Sequence, residues 1–245
     1  LLLCHRLELN RSALLLRAGE TLDADTLQIL SDDVARLRAG EPLAYVLGEW
    51  SFWDFDLTVT PDVLVPRPET ETLVEAALES AVPGQRALDL GTGSGAIAIA
   101  LSRAGRLRVT AVDTSIPALK VAERNAARLS AEITFLHSNW YSGISGRFDL
   151  IVANPPYIAE GDPHLPALSH EPAGALVSGP AGLKDLTRII IKAPGFLTPG
   201  GWLMVEHGYD QLEPVAGLFA AAGFEAIECR RDLAGQPRVT MGRQP

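Results

Sequence analysis

A chain of 245 residues, 47% of them hydrophobic and 21% charged, can fill a sizeable core and carry one large domain with a smaller attachment. Its 21 basic and 30 acidic side chains leave a net charge of −9, which argues against free nucleic acid as a partner, because backbone affinity comes from Lys and Arg displacing counterions. No run reaches the ~18 to 20 apolar residues of a membrane span, and Cys4 and Cys229, far apart and in no ligand-like spacing, suit a reducing, cytoplasmic setting rather than a metal site.

The opening Leu-Leu-Leu-Cys-His-Arg-Leu has neither the basic region nor the cleavage site of a signal peptide, and the missing initiator Met leads us to expect a short preceding segment. Residues 1–45 read as helical. Leu27, Leu30, Val34 and Leu37 recur at helical spacing after a polar start at Thr21 to Asp25, and Gly40-Glu41-Pro42 ends the unit. Trp53, Phe55, Leu57 and Val59 alternate with polar residues, so 46–64 is expected to form a β-hairpin linker whose aromatic side chains pack between the two parts.

Val65 to Glu71 leads into an amphipathic helix, and from Gln85 onward strands and helices alternate through residue 245. That alternation predicts an α/β domain over 65–245, with a mostly parallel sheet covered on both faces and ligands bound beyond the carboxyl ends of its strands. The Arg103, Arg106 and Arg108 cluster reads as a solvated helix end, and the Pro- and Gly-rich stretch from Ala159 to Gly182 as a substrate-side loop. Two late strands, near Phe224 to Arg230 and Arg238 to Gly242, are joined by a turn so short that they must run antiparallel.

Both motifs that carry chemistry fall at strand ends. The first is the loop Gly91-Thr92-Gly93-Ser94-Gly95, whose glycines permit a tight strand-to-helix turn and let a ligand approach the backbone. Gly91-x-Gly93-x-x-Ala96 also fits a dinucleotide fingerprint, and Asp113, ending the next strand, stands where a ribose diol would be held. NAD and S-adenosylmethionine both carry that diol, so this loop leaves both open.

The second motif, Asn154-Pro155-Pro156-Tyr157, follows the apolar run Leu150 to Ala153. Proline fixes its own backbone and holds the residue before it extended. A planar amino group offers two hydrogens, which the Asn154 side-chain oxygen and the Pro155 carbonyl can accept, while Tyr157 stacks beside them. A hydride-transfer enzyme has no use for such a grip. The five histidines are scattered, in no metal-binding pattern, and read as structural or surface residues.

The ordered set VPRPETE (65–71), LDLGTGSGAIAIAL (88–101), AVD (111–113), SNWYS (138–142), NPPYI (154–158), LTPGGWLMVEHG (197–208) and GQPRVTMG (235–242) resembles the PrmC/HemK family of protein glutamine methyltransferases over nearly the whole chain. The resemblance implies a seven-stranded class I, Rossmann-like methyltransferase fold with a small N-terminal helical substrate-docking domain. It implies S-adenosyl-L-methionine as cofactor, S-adenosyl-L-homocysteine as product, and the Gln of the Gly-Gly-Gln motif in class-1 peptide chain release factors as substrate. Gly91 through Gly95 would then wrap the methionine part, Asp113 the ribose, and Trp140 would lie against the adenine. Asn139, where relatives often carry Asp, would accept from the adenine amino group. Asn154, Pro155, Pro156 and Tyr157 would grip the target Gln, with Asn154 also beside the cofactor, and Arg67 and Glu71 would line the pocket. Weighed against this are a ribosomal protein glutamine methyltransferase, a nucleic-acid adenine N6-methyltransferase that flips its base, a dinucleotide-dependent oxidoreductase, and a non-enzymatic cofactor-binding module.

Overall fold

The computed structural model describes residues 1–245. Four helices open the chain: α1 (Leu2–Arg6), α2 (Arg11–Leu16), α3 (Ala24–Arg38) and α4 (Leu43–Leu47). Asn10 and Asp23 start α2 and α3 by accepting, each at 2.8 Å, the backbone N–H of Ala13 and Thr26, which satisfies donors the helix itself cannot. Gly48 ends α4 in the left-handed conformation. The apolar stripe of α3 is narrower than its periodicity predicts. Leu30 is buried, but Leu27 and Val34 remain 53% and 38% exposed, because α1 and α2 are one-turn helices that bury none of their own side chains. The other buried residue of α3 is Asp33, held by Arg6 at 2.7 Å.

Next comes an antiparallel hairpin of β1 (Glu49–Phe52) and β2 (Phe55–Thr58). Phe55, Leu57 and Val59 are buried in the same apolar cluster as residues from the main sheet, as the alternation predicts, and Phe52 joins them in place of Trp53. Trp53 sits only half-buried in the turn with positive φ, its N–H donating to Glu71 Oε1 at 2.9 Å.

The remaining elements are α5 (Glu71–Ser80), β3 (Arg86–Leu90), α6 (Ala96–Arg103), β4 (Arg108–Asp113), α7 (Ile116–Arg128), β5 (Ile133–His137), β6 (Phe148–Ala153), α8 (Lys184–Lys192), β7 (Leu197–Glu206), α9 (Leu212–Ala221), β8 (Glu225–Arg231) and β9 (Pro237–Arg243). They build a seven-stranded sheet in the order β5-β4-β3-β6-β7-β9-β8. The first five strands run parallel and β9 runs antiparallel to both its neighbours, as the short turn before it requires. The alternation breaks once: turns, not a helix, join β5 to β6. Successive strand residues feed two cores. Ala87, Val109, Ala111, Leu150 and Val152 pack toward α5, α6, α7 and the hairpin, whereas Leu88, Leu90, Val112, Ile151 and Ala153 pack toward α8 and α9.

Strand order reverses between β3 and β6, and at such a switch point the loops leaving the two strands diverge to open a crevice. Leu90 pairs with Val112 on one side and with Ala153 on the other, so Gly91, Asp113 and Asn154 start level at the carboxyl edge. Sheet register alone brings the two motifs together.

Asn125, fully buried on α7, ties hairpin to loop. Its Nδ2 donates to the carbonyls of Thr58 and Ser94, each at 2.9 Å, and its Oδ1 accepts from Thr58 N–H at 2.8 Å. Asn125→Ala strands these backbone groups in the core, and we expect a loss of about 1–3 kcal/mol in unfolding free energy. Urea denaturation checks it; an unchanged midpoint would mean that the three bonds contribute nothing net.

Candidate active site

Above the switch point lies a cleft of ≈ 230 Å³. One wall is the loop between β3 and α6, where Gly91, Gly93 and Gly95 all have φ between 55° and 86°. A Cβ on Gly91 would come within 3.2 Å of the Trp140 ring, and one on Gly95 within 3.2 Å of Ala122 Cβ, whereas Gly93 faces open space. Asp113 fastens this loop. Its Oδ2 accepts from Gly93 N–H and its Oδ1 from Ser115 N–H, both at 2.9 Å, and each oxygen keeps a lone pair for a ligand on the cleft side.

Below the loop sits Asp89, fully buried, with Oδ2 accepting from the Thr92 hydroxyl at 2.7 Å and Oδ1 lacking any donor. Burial pushes its pKa up to about 7, against the pull of Thr92 and with a smaller push from Asp113. A carboxyl raised in the fold binds its proton there before it does in the unfolded chain. Its stabilising contribution is therefore whole below the unfolded value near 4 and is lost as pH rises through about 7. Asp89→Asn, which keeps the shape without the charge, should raise the stability of the unliganded protein at pH 8 by up to a few kcal/mol and leave it unchanged near pH 4. Thermal melts at the two pH values test this; equal shifts at both would contradict it.

Trp140 closes the far side of the cleft. Its backbone takes φ of +53°, and its indole N–H donates to Asp185 Oδ1 at 3.1 Å, while Ser178 holds the other oxygen of Asp185 at 2.8 Å. That same backbone turn carries Asn139 outward. Asn139 is exposed, its Oδ1 facing Arg188 at 3.5 Å, and the buried neighbour that lines the cleft is Ser138. Asn139, expected beside an adenine, is therefore not among the residues that line the cleft in this structure, where Ser138 and Trp140 are.

Across the cleft stands Asn154. Its Nδ2 donates to Thr70 Oγ1 at 3.0 Å, which leaves Oδ1 without a protein donor. The Pro155 carbonyl has no protein donor either, although the Pro155 ring is buried away from the cleft, and Pro156 lines it. Tyr157 turns its hydroxyl inward, where it donates to Glu206 Oε1 at 3.2 Å. Behind it the chain runs so close to Gly182 that a Cβ there would lie 2.1 Å from the Tyr157 carbonyl, which also accepts from Gln211 at 3.0 Å. The turn is clamped.

Arg67 lines the cleft and pairs with Glu171, whose second oxygen accepts from Val65 N–H at 3.1 Å. Glu171 thereby anchors the segment between β6 and α8, two short 3₁₀ turns (Leu165–Leu168 and Ala173–Ala175), against the strand of prolines before α5. Glu71, the first residue of α5, accepts from the hairpin turn and does not line the cleft. Arg103 pairs with Asp54 and the Phe55 ring and Arg108 with the Gly84 carbonyl, which leaves Arg106 as the one exposed member of the cluster without a side-chain partner. Among the histidines, His207 is buried with both ring nitrogens bonded, to the Gly208 carbonyl and to Thr240, each at 2.8 Å. It is structural.

Residues 68–171 match the model of the methyltransferase small domain, and residues 1–48 match that of the PrmC N-terminal domain. The release factor glutamine methyltransferase of Vibrio cholerae serotype O1 is 46% identical over 99% of this chain and 87% of its own length; that of Burkholderia pseudomallei is 45% identical over 100% and 90%. The chain belongs to the release factor glutamine methyltransferase family. Its fold is also that of a methyltransferase crystal structure from Pyrococcus furiosus, with a TM-score of 0.62 at 19% identity over 87% of this chain and 98% of the other. Thr70, Asp89, Asp185 and Glu206 are the residues of this methyltransferase site that sequence reasoning missed. Asp89 lies within a buried apolar run and Glu206 ends one, and a carboxyl in such a position was the available signal.

Proposed function

We propose that this enzyme transfers the methyl group of S-adenosylmethionine to the side-chain amide nitrogen of the Gln in the Gly-Gly-Gln motif of class-1 peptide chain release factors. The observation that carries this reading is the unclaimed acceptor Asn154 Oδ1 on the cleft wall opposite the glycine loop, with the carbonyl of the adjoining Pro155 likewise free of any protein donor. The residues present fit the cofactor. The left-handed loop is open at Gly93, Asp113 keeps lone pairs for a ribose, Trp140 offers a ring face, and Asp89 has an orphaned oxygen beneath the loop.

When bound, the cofactor supplies an electrophilic methyl group on a sulfonium. An amide nitrogen is a poor nucleophile because its lone pair is delocalised into the carbonyl. Asn154 and Pro155 each accept one N–H of the target amide, which raises electron density on the nitrogen and holds it in line for attack. The same two oxygens stabilise the positive charge that grows on nitrogen, and their rigid mounting means that little reorganisation is needed. The methylated nitrogen is strongly acidic and sheds its proton afterwards, so no general base is required in the site.

The N-terminal unit, residues 1–45, supports a docking role for a folded protein, since Leu15, Leu16 and Ile29 stand exposed on it at 71%, 89% and 49%. No helix is long and apolar enough to cross a membrane, and both cysteines are free, in keeping with work in the cytoplasm. Incubation with labelled S-adenosylmethionine and an unmethylated release factor should add one methyl group to the Gly-Gly-Gln glutamine, located by mass spectrometry. Methylation of a ribosomal protein or DNA in place of the release factor would overturn the substrate assignment.

A further inference from the structure

The Asn154 carboxamide can grip an amide only if Oδ1 faces the cleft and Nδ2 faces away. In the structure Nδ2 donates to Thr70 Oγ1 at 3.0 Å. A hydroxyl both donates and accepts, so Thr70 by itself would hold the flipped amide equally well, by donating to Oδ1. Something must accept a hydrogen bond from the Thr70 hydroxyl, and water competes poorly for it, because Thr70 lines the cleft yet is only 4% exposed.

Glu206 is placed to do so. It ends β7 directly beside Asn154, since Ala153 pairs with Val205, and it is 1% exposed. Its Oε1 accepts from the Tyr157 hydroxyl at 3.2 Å. The Thr70 hydroxyl adjoins the same carboxyl and favours its ionised form, and Oε2 has no donor in this arrangement. A carboxylate only accepts. Once ionised Glu206 accepts a hydrogen bond from the Thr70 hydroxyl, the Thr70 oxygen is left to accept from Asn154, and Oδ1 of Asn154 is directed at the substrate.

We propose that Glu206 is a positioning residue that fixes the direction of the hydrogen bonds through Thr70 to Asn154, and so orients the amide grip. This rests on the reading of Asn154 as that grip. The groups facing the carboxyl are Thr70 and Glu69 from the turn before α5, Tyr157 after β6 and Arg238 on β9. Arg238 favours the ionised form, Glu69 opposes it, and burial opposes it most, bringing the pKa up to about 7. Below that value a protonated Glu206 donates, and the relay reverses.

The test compares wild type, Glu206→Gln, Thr70→Val, Thr70→Ser and the Glu206→Gln/Thr70→Val double variant. Each single loss of the relay should lower kcat roughly 10- to 100-fold, the worth of a hydrogen bond to a charged group, with S-adenosylhomocysteine affinity and the KM for release factor little changed. The double variant should be no slower than the worse single one, because the two residues act in series. Thr70→Ser should restore kcat. The acid limb of the wild-type kcat profile should vanish in Glu206→Gln. In the unliganded protein, the side-chain ¹⁵N resonance of Asn154 should titrate with Glu206 in wild type and stay flat in Thr70→Val. Wild-type kcat in Glu206→Gln, additive losses in the double variant, or an Asn154 resonance that ignores pH would overturn the relay. If wild type fails to methylate release factor at all, the functional reading fails, and the Asn154 titration still decides the relay on its own.

Discussion

Asn154→Ala should lower kcat by two to three orders of magnitude while S-adenosylhomocysteine binds almost as before. The size follows from removing one oriented group that acts on the reacting atoms, which in comparable sites costs roughly 10²- to 10³-fold. The selectivity follows from position. Asn154 lies across the cleft from the glycine loop, and the loop that would hold the cofactor is fastened by Asp113 without help from Asn154. The lost contact matters most in the transition state, so kcat and kcat/KM should fall together. A variant with near-normal turnover on release factor would end the amide-grip mechanism, and one that lost cofactor affinity to the same degree would reassign Asn154 to the cofactor.

Asp113→Ala is the second large effect. A carboxylate hydrogen-bonded to a ribose diol contributes about 1.5 to 3 kcal/mol, so affinity for S-adenosylmethionine should drop by that amount in calorimetry. The structure adds a second contribution, because Asp113 also holds Gly93 N–H and Ser115 N–H at 2.9 Å. Loss of both backbone bonds frees the loop, which must then be ordered on binding, so the entropy of binding should become less favourable as well. Unchanged affinity would remove Asp113 from the site.

The parts of this molecule that could be read in advance are those in which local rules decide the outcome. Left-handed glycines at Gly91 and Gly95, a strand ending at Asp113, and proline-fixed backbone after Asn154 all follow from neighbours in the chain. Their meeting in one cleft followed from parallel alternation and the switch point. What could not be read were contacts that sequence distance hides. Thr70 and Asn154 are 84 residues apart, and Tyr157 and Glu206 are 49 apart. Asn139 shows a different limit: it lies beyond the last strand residue and before Trp140 with its positive φ, where residue alternation no longer predicts which side chain faces inward. Leu27 and Val34 show the limit of periodicity, which identifies a helical face without saying how much of it a neighbour will cover.

Asn125 bears on how such a protein can be recombined with its relatives. A fragment beginning at Val65 would keep the sheet but lose Asp62, Val63 and Leu64 from the cleft wall, and Asn125 would retain only its bond to the Ser94 carbonyl and lose both bonds to Thr58. It would also uncover the core where Phe52, Leu57 and Val59 now sit. The viable joint for a chimera therefore lies ahead of β1, so that any exchanged helical cap leaves the native hairpin with the sheet it has been fitted to. Grafts made at Val65 would carry a foreign hairpin onto the back of the glycine loop, and their failure would show first as a loosened loop and only later as a lost partner.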